Sequence, residues 1–224
     1  MKLNSKRTIL VGLAFLSICA FWQMYDSIVP LILTKTFHMN ETFSGAIMAA
    51  DNILALFLLP FFGSVSDKSH TKIGKRMPFI LFGTGCAIIL MNILPLLDNS
   101  YAAQPSGFKT ASFVIVLGLL LVAMGTYRAP AVALMPDVTP KPLRSRANAI
   151  INLMGAVGGI LYLGVAAVLY PNSKTAGLDH VNYQPLFIVV SAIMFVAVAV
   201  LFLTIREPKL TAENQELEKQ HPEW

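Results

Sequence analysis

The sequence predicts an all-α integral membrane protein with six transmembrane helices. Of its 224 residues, 55% are hydrophobic and only 13% are charged, whereas a soluble globular domain carries about 25% charged residues. The apolar residues form six runs of roughly 20 residues or more, enough for a helix to cross the ~30 Å hydrocarbon core of a bilayer. Lysine and arginine gather in the segments between these runs, as in multi-pass membrane proteins.

The six predicted spans end at recognisable helix signals. Hydropathy places them at residues 8–33, 42–62, 78–97, 110–135, 145–169 and 185–205. Asn40 suits a cap before the second span, and Pro78 and Pro185 suit the first turns of the third and sixth. We therefore predict a bundle over residues 1–205, followed by a cytoplasmic tail or linker over 206–224.

The basic residues predict the orientation of the spans. Alternate segments, here assigned to the inside, hold 13 of the 17 Lys and Arg residues: Lys2, Lys6, Arg7, Lys68, Lys72, Lys75, Arg76, Lys141, Arg144, Arg146, Arg206, Lys209 and Lys219. The outside loops hold only Lys35, Lys109 and Lys174, and Arg128 lies within a span. Because basic loops stay on the cytoplasmic side, we expect a cell-membrane protein with both termini in the cytoplasm.

The basic start of the chain is also typical of a signal peptide, but its apolar run continues past residue 30 without a cleavage site, which predicts an uncleaved helix.

Several function classes are disfavoured. The net charge of +5 arises at the ends of apolar runs, where it serves topology and contact with anionic lipid rather than nucleic acid. Cys19 and Cys86 lie inside apolar helices and are expected to be packing residues. We find no Cys/His cluster with metal-ligand spacing, no phosphate-binding glycine loop and no residue set for covalent catalysis. The sequence therefore predicts a protein that is not an enzyme and uses no cofactor or metal.

Four of the six spans carry polar side chains. These are Gln23 and Asp26 in the first, Asp51 and Asn52 in the second, Arg128 in the fourth, and Asn148 and Asn152 in the fifth. An ionised side chain at the centre of a span costs about 2.5–3.5 kcal/mol on insertion and normally faces a bundle interior or a wet cavity. We expect these four spans to line a central polar pathway, and the apolar third and sixth spans to form a lipid-facing periphery.

Two motifs resemble a known family. Residues 60–67 read PFFGSVSD and residues 74–80 read GKRMPFI, which is similar to the loop between helices two and three of the major facilitator superfamily. Residues 130–138 read PAVALMPDV, with RANA at 146–149 and glycines within 155–159. This second pattern resembles the branch of glycoside–cation symporters, plant sucrose carriers and their animal relatives. The resemblance covers essentially the whole chain and implies the N-terminal six-helix half of the facilitator fold, a 3+3 inverted repeat.

The resemblance implies that the first loop acts as a cytoplasmic latch between two halves. Its candidate residues are Gly63, Asp67, Gly74, Lys75, Arg76, Asp137 and Arg146. Asp67 can accept hydrogen bonds from backbone N–H groups or a cation, and Gly63 would allow close helix approach. Lys75 and Arg76 can meet carboxylates or lipid phosphates. The same residues could instead act only as determinants of topology.

The resemblance also implies secondary transport of a sugar or glycoside by alternating access. The candidate ionisable residues are Asp26, Asp51 and Arg128, and the candidate substrate-binding residues are Trp22, Gln23, Tyr25, Asn52, Tyr127, Asn148 and Asn152. Burial favours the protonated form of a carboxyl group and a nearby cation favours the ionised form, so Asp51 could carry a coupling proton. Asp51 could alternatively be a hydrated or statically paired charge, and aromatic residues in membrane helices often serve only for packing.

Two departures from the family favour protons over sodium. Sodium-dependent glycoside symporters look as if they carry carboxylates on helix two where this chain has Ala55 and Leu59, and Asp51 lies one turn further out. Sucrose carriers resemble this chain in having an arginine on helix four, but one turn later, where Val132 stands. Because a hard cation needs several oxygen ligands and Arg128 would oppose it, a sodium site of the glycoside-symporter kind is disfavoured and protons are the favoured coupling ion.

The chain matches only half of a twelve-helix carrier. A single half would leave the polar faces of four spans open to lipid, so we expect a C-terminal six-helix half as partner, with a homodimer as the less favoured solution. The other expected partners are the lipid bilayer, a sugar-like solute and protons. The alternative function is a non-transporting membrane regulator or sensor, or a truncated remnant of a carrier.

Overall fold

The computed structural model describes residues 3–223, and this part of the chain is helical, without a β-strand. Helices α1 to α8 span Ser5–Leu31, Glu41–Asp67, Met77–Ala103, Gly107–Asp137, Arg144–Leu169, Asn172–Thr175, Gln184–Thr204 and Glu207–Gln220. A π-helical turn over Ile32–Thr36 extends α1, and a 3-10 turn over Lys141–Leu143 precedes α5. Six of these helices, α1 to α5 and α7, are long and apolar enough to cross a membrane. The predicted all-α class with six spans is confirmed. Lys2 and Trp224, which belong to the predicted bundle and tail, lie outside the described residues.

The helices begin at the predicted signals. The Asn40 side-chain oxygen accepts a hydrogen bond of 3.0 Å from the backbone N–H of Thr42, which caps α2. Pro78 and Pro185 lie in the first turns of α3 and α7, where a missing N–H leaves no intrahelical bond unmade. Helices α2, α3 and α4 extend past the predicted spans, because hydropathy marks only the apolar part of a helix.

The pairing of the helices follows an internal symmetry. Helix α1 packs mainly against α5 and α7, and α4 packs mainly against α3 and α2. Helices α1 and α4 also meet each other, as do α3 and α7. Exchanging α1 with α4, α2 with α5 and α3 with α7 reproduces all of these pairings. This is the pattern expected of two three-helix repeats related by a pseudo-twofold axis, in agreement with the predicted 3+3 arrangement.

Two glycines allow two of the helix pairs to approach closely. A Cβ atom at Gly158 of α5 would collide with the backbone carbonyl group of Leu16 on α1. A Cβ atom at Gly83 of α3 would lie 2.7 Å from the backbone nitrogen of Tyr127 on α4. Small residues at membrane helix interfaces permit this backbone contact, so α1–α5 and α3–α4 are the closest-packed seams of the bundle.

The apolar helices α3 and α7 are lipid-facing on one side only. Met91 and Met194 are fully buried, because α3 and α7 pack against each other and against α4 and α1. Phe82 and Phe195 on the same helices are 69% and 64% exposed. The expectation that these two helices face lipid is therefore correct for one face of each helix and wrong for the face that packs inside the bundle.

Helix α2 is the most exposed of the six spans. Its buried residues are Ser44 and Ser66, near its two ends. Between them Leu56, Phe57 and Phe61 point away from the bundle and are 70%, 67% and 58% exposed. The central turns of α2 thus offer an apolar face on which the described residues do not pack.

The polar segment after the sixth span is folded back against the bundle. Its helix α8 lies at the end that carries the basic loop between α2 and α3, which we call the basic end. The Asn214 side-chain amide donates to the backbone carbonyl of Asp137 over 3.1 Å, and Arg144 forms an ion pair of 2.8 Å with Glu218. Hydropathy cannot detect this helix, because its residues are mostly polar.

Candidate functional site

A small cavity lies between α1, α2 and α4. Its polar lining consists of Trp22, Asp51 and Arg128, one from each helix, and the remaining lining is aliphatic apart from Gly125. We call this the central cavity. Its volume is about 20 Å³, room for about one water molecule and far below the 300–1,000 Å³ of typical small-molecule sites. The cavity as it stands is therefore too small to enclose a small-molecule ligand.

The charges in the central cavity are arranged around an aromatic ring. The guanidinium carbon of Arg128 lies 5.6 Å from the centre of the Trp22 ring, a cation–π contact. Asp51 and Arg128 line the same cavity, yet in the described part of the chain no ion pair within 4.0 Å joins them. Their side chains therefore remain available to a third group.

Three buried polar atoms in and beside the cavity are unpaired. Trp22 Nε1, the Tyr25 hydroxyl and Asp51 Oδ1 have no hydrogen-bond partner among residues 3–223. The Trp22 and Tyr25 rings meet edge to face, 5.3 Å apart. An unpaired buried polar group costs about 1–3 kcal/mol, so water or a ligand rich in hydroxyl groups would be favoured here.

The other polar candidates lie around the cavity or away from it. Asp26 is exposed on α1, within electrostatic range of Asp51. Gln23 is half-buried and faces α5 near Gly159. Asn52 on α2, and Asn148 and Asn152 on α5, lie on exposed faces and do not line the central cavity.

Tyr127 has a structural role in place of the substrate contact considered for it. Its side chain is fully buried. The hydroxyl lies 2.5 Å from the Ser17 hydroxyl and donates to the backbone carbonyl of Ala14 over 3.0 Å. Both partners belong to α1, so Tyr127 joins α4 to α1 and is not accessible to a ligand in this conformation.

At the basic end, one arginine gathers the charged residues of the loop. The side chain of Arg76 is only 5% exposed. It donates to Asp67, and through Nε to Asp137 over 2.9 Å. The ammonium of Lys75 lies 3.2 Å from the same Asp137 carboxylate and 3.9 Å from Asp67. We call these four residues the loop cluster; it ties the end of α2 and the start of α3 to the end of α4.

A second carboxylate holds the start of α3. Glu207, the first residue of α8, is 1% exposed. Its carboxylate accepts backbone N–H groups of Lys75, Arg76 and Met77 over 2.8–3.2 Å. These are unpaired donors at the positive end of a helix, where an anion is stabilised. Gly74 has φ +122° and a Cβ atom there would collide with Glu207, so both the backbone and the space require glycine.

Two latch candidates differ from their expected roles. A Cβ atom at Gly63 would have no neighbour within 4 Å, so close helix packing within the described chain is not its role. Its carbonyl oxygen instead accepts hydrogen bonds from the Ser66 hydroxyl, over 2.9 Å, and from Arg76, over 3.3 Å. Arg146 is exposed and lies outside the loop cluster. The neighbouring Arg144 makes the structural ion pair.

The most important residue that sequence reasoning missed is Glu207. It lies 130 to 132 positions from the N–H groups it caps, and no spacing rule connects them. Ser66, which receives a hydrogen bond from Arg76 over 2.5 Å, stood inside the quoted motif but carried no signal of its own.

Comparison with known proteins shows the family of the chain. A family model described as Major Facilitator Superfamily matches residues 11–223. The chain belongs to this superfamily. This facilitator is 34% identical over 158 residues to "Sucrose transport protein SUC3" of Arabidopsis thaliana, which covers 65% of this chain and 26% of the relative.

Two further relatives place the facilitator in the same branch. "Sucrose transport protein SUT3" of Oryza sativa subsp. indica is 29% identical over 154 residues, covering 62% of this chain and 30% of the relative. "Solute carrier family 45 member 3" of Homo sapiens is 25% identical over 186 residues, covering 81% and 34% respectively. The chain thus spans about a quarter to a third of the length of the curated relatives it matches. The predicted resemblance to sucrose carriers is confirmed.

Proposed function

We propose that this facilitator forms the N-terminal half of a secondary transporter that moves a sugar or glycoside together with protons by alternating access. The observation that carries the proposal is the central cavity, where Trp22, Asp51 and Arg128 converge from three helices. Membrane helices keep buried ionisable groups mainly where solutes or protons pass.

The chemistry of the cavity suits a sugar. An aromatic face can stack on the C–H surface of a pyranose ring, and Trp22 Nε1 and Asp51 Oδ1 supply an unpaired donor and an unpaired acceptor. The printed names of two relatives, sucrose transport proteins, support this solute class and favour a carrier over a regulator or an enzyme.

Proton coupling would act through Asp51. Loss of water favours the neutral carboxyl group, and the approach of the Arg128 cation favours the ionised one. A movement that changes the distance between them would therefore exchange a proton with the solvent. This mechanism needs no metal, and within residues 3–223 no group of three His, Cys, Asp or Glu side chains is placed to hold one.

A second six-helix unit would complete the site. The cavity holds only about 20 Å³, and exposed polar side chains on α2 and α5, among them Asn52 and Asn148, would line the missing wall. Homodimerisation is the less favoured way to supply it. We further propose that the loop cluster is the latch of the cytoplasmic side, and that the protein lies in the plasma membrane.

The 224-residue chain presents one wall of the proposed site, so weak sugar binding can be measured on the chain itself. The chain has two tryptophans, so in a Trp224→Phe background fluorescence reports on Trp22 alone. We expect sucrose to change this fluorescence saturably in detergent micelles, and glycerol at equal osmolarity to have no such effect. Sugar binding should also be accompanied by uptake or release of protons, measured as a pH change in weak buffer. Asp51→Asn should abolish this pH change while binding persists.

The matched variants separate the site from its surroundings. Arg128→Ala should weaken sucrose binding at least tenfold. Tyr127→Phe should leave binding unchanged, because its hydroxyl bonds only to α1. A response to sucrose that is not saturable, or that Arg128→Ala leaves intact, would disprove the proposed site; unchanged proton movement in Asp51→Asn would remove only the coupling role.

A further inference from the structure

A cluster of polar side chains lies at the end of the bundle opposite the basic end. It consists of Thr36 at the end of the π turn, Asp98 and Asn99 on α3, and His180 and Asn182 in the loop before α7. We call it the Asp98 cluster. Neither the central cavity nor the loop cluster includes any of these residues.

Asp98 is buried in an unusual environment for a carboxyl group. It is 0% exposed, and neither of its oxygens has a hydrogen-bond partner in the described part of the chain. The nearest cationic group is the ring of His180, whose Nε2 lies 4.0 Å from Oδ2, and the Thr36 hydroxyl also faces the carboxyl group. An ionised carboxylate buried without donors is strongly disfavoured, so this site needs a proton.

The hydrogen bonds in the loop before α7 determine that one ring nitrogen of His180, Nε2, always carries a hydrogen. Asn182 Oδ1 accepts the backbone N–H of Gln184 and, over 2.9 Å, the side-chain amide of Asn99. The oxygen of Asn99 therefore faces His180 Nε2, 2.9 Å away. Because an amide oxygen only accepts, Nε2 carries a hydrogen in every protonation state of the cluster.

The other ring nitrogen connects His180 to Asp98 through Thr36. His180 Nδ1 lies 3.2 Å from the Thr36 hydroxyl oxygen. Asp98 makes no hydrogen bond to Thr36 as the two side chains stand, but a protonated Asp98 that turns toward Thr36 can donate to its oxygen, and Thr36 then donates to a neutral His180. If the carboxyl proton passes to Thr36 while Thr36 passes its own to Nδ1, Asp98 becomes −1 and His180 +1. Both arrangements contain the same single proton.

We propose that Asp98, Thr36 and His180 form a proton-binding site that holds one shared proton and thereby joins α1, α3 and the loop before α7. This site is independent of the proposed sugar site. When the proton leaves, an ionised Asp98 faces a neutral His180, and the contact between the three elements weakens. The end of the bundle opposite the basic end is therefore held together at low pH and loosened as pH rises.

The neighbouring groups do not compete for this proton. Burial raises the pKa of the Tyr183 phenol, and the charge of Asp98 raises it further, so Tyr183 stays neutral. Lys109 on α4 donates to two backbone carbonyls at the end of α3. From α1 the facing group is the Thr36 hydroxyl, and the adjacent Lys35 is exposed.

The pH dependence of stability tests the site. Above about pH 6.5 an unfolded histidine is neutral and an unfolded aspartate ionised, so a native cluster that keeps its shared proton there binds one proton more than the unfolded chain. The folding equilibrium constant should then fall by up to tenfold per pH unit as pH rises from about 6.5 to the point where the cluster loses its proton. In Asp98→Asn this decline should disappear. The folding equilibrium constant would be measured by chemical unfolding of the purified chain in mixed micelles from about pH 5 to about pH 9, a range that extends to both sides of the histidine pKa.

Two control variants keep the result interpretable. His38→Asn alters an exposed histidine in the loop after α1 and should retain the decline. Thr36→Ser keeps the bridging hydroxyl and should also retain it, whereas Thr36→Val should remove it; this pair serves if Asp98→Asn fails to fold. Identical pH profiles for the wild type and Asp98→Asn, or for Thr36→Ser and Thr36→Val, would overturn the proposal.

Discussion

Arg76 is the residue on which the basic end depends most. Its guanidinium bonds to Asp67, Asp137 and Ser66. The carboxylates differ in surroundings: the Asp67 side chain is 58% exposed and that of Asp137 only 20%. A bond to an exposed carboxylate is weakened by water and salt, whereas a buried carboxylate that loses its cation remains uncompensated.

Substitutions in the loop cluster should therefore be graded by burial. We expect Arg76→Ala to lower the free energy of unfolding by about 2–3 kcal/mol, because a buried side chain loses three partners at once, although Lys75 still faces Asp137. Asp67→Asn should cost under about 1 kcal/mol. Unfolding in mixed micelles measures both. Arg146→Ala, at an exposed arginine outside the cluster, should stay within about 0.5 kcal/mol; equal losses for all three variants would contradict this grading.

At the scale of the helices, α3 begins on a carboxylate contributed by α8. Glu207 satisfies the free N–H groups of the first turn of α3, and Gly74 makes room for it with a backbone conformation that other residues adopt with strain. These hydrogen bonds thus join the loop between α2 and α3 directly to the segment after α7.

The two residues should be energetically coupled. Gly74→Ala should destabilise the chain by more than the roughly 1–3 kcal/mol of backbone strain, because the new methyl group also displaces Glu207. In a Glu207→Ala background the same substitution should cost only the strain. A double-mutant cycle measures this difference. Gly63→Ala is the matched control, since a methyl group there meets open space; strict additivity would show that the cap is not displaced.

The positions of the six spans could be predicted from the sequence, whereas the packing of the helices against one another could not. Each span is set by its own length and hydropathy, so all six could be predicted locally. Neither the one-sided burial of α3 nor the pairing of α1 with α5 follows from local composition, because lipid and a neighbouring helix are equally apolar. The same limit applies to the site: Asp51 and Arg128 stood out as charges, whereas the use of the Tyr127 hydroxyl within the bundle depends on its distance from Ser17.

At the scale of the whole molecule, the basic end and the opposite end are chemically distinct. The basic end carries the loop cluster, Glu207 and helix α8, all joined by ion pairs and charged caps. The opposite end holds the Asp98 cluster and few lysines or arginines. Because cytoplasmic loops are enriched in these residues, we expect the basic end to face the cytoplasm.

Labelling from one side of the membrane tests this orientation. In a background with Cys19→Ala and Cys86→Ala, an impermeant thiol reagent added to intact cells should modify Ser106→Cys and spare Ser69→Cys. Opening the cells should make Ser69→Cys reactive, which shows that its site is accessible to the reagent. Labelling of Ser69→Cys alone in intact cells would reverse the assigned topology.

The crossed pairing of the helices has a consequence for the timing of synthesis. Helix α1 ends at Leu31, but its main partners α5 and α7 begin at Arg144 and Gln184. At about 5–20 residues per second, a ribosome takes on the order of ten seconds to produce the intervening chain. Helices α2 and α4, which also contact α1, are made within that interval, but the face of α1 that packs against Gly158 of α5 has no partner until α5 is made. We therefore expect a ribosomal pause before Arg144 to prolong the period in which this face of α1 meets only lipid, and to delay the final packing of the bundle.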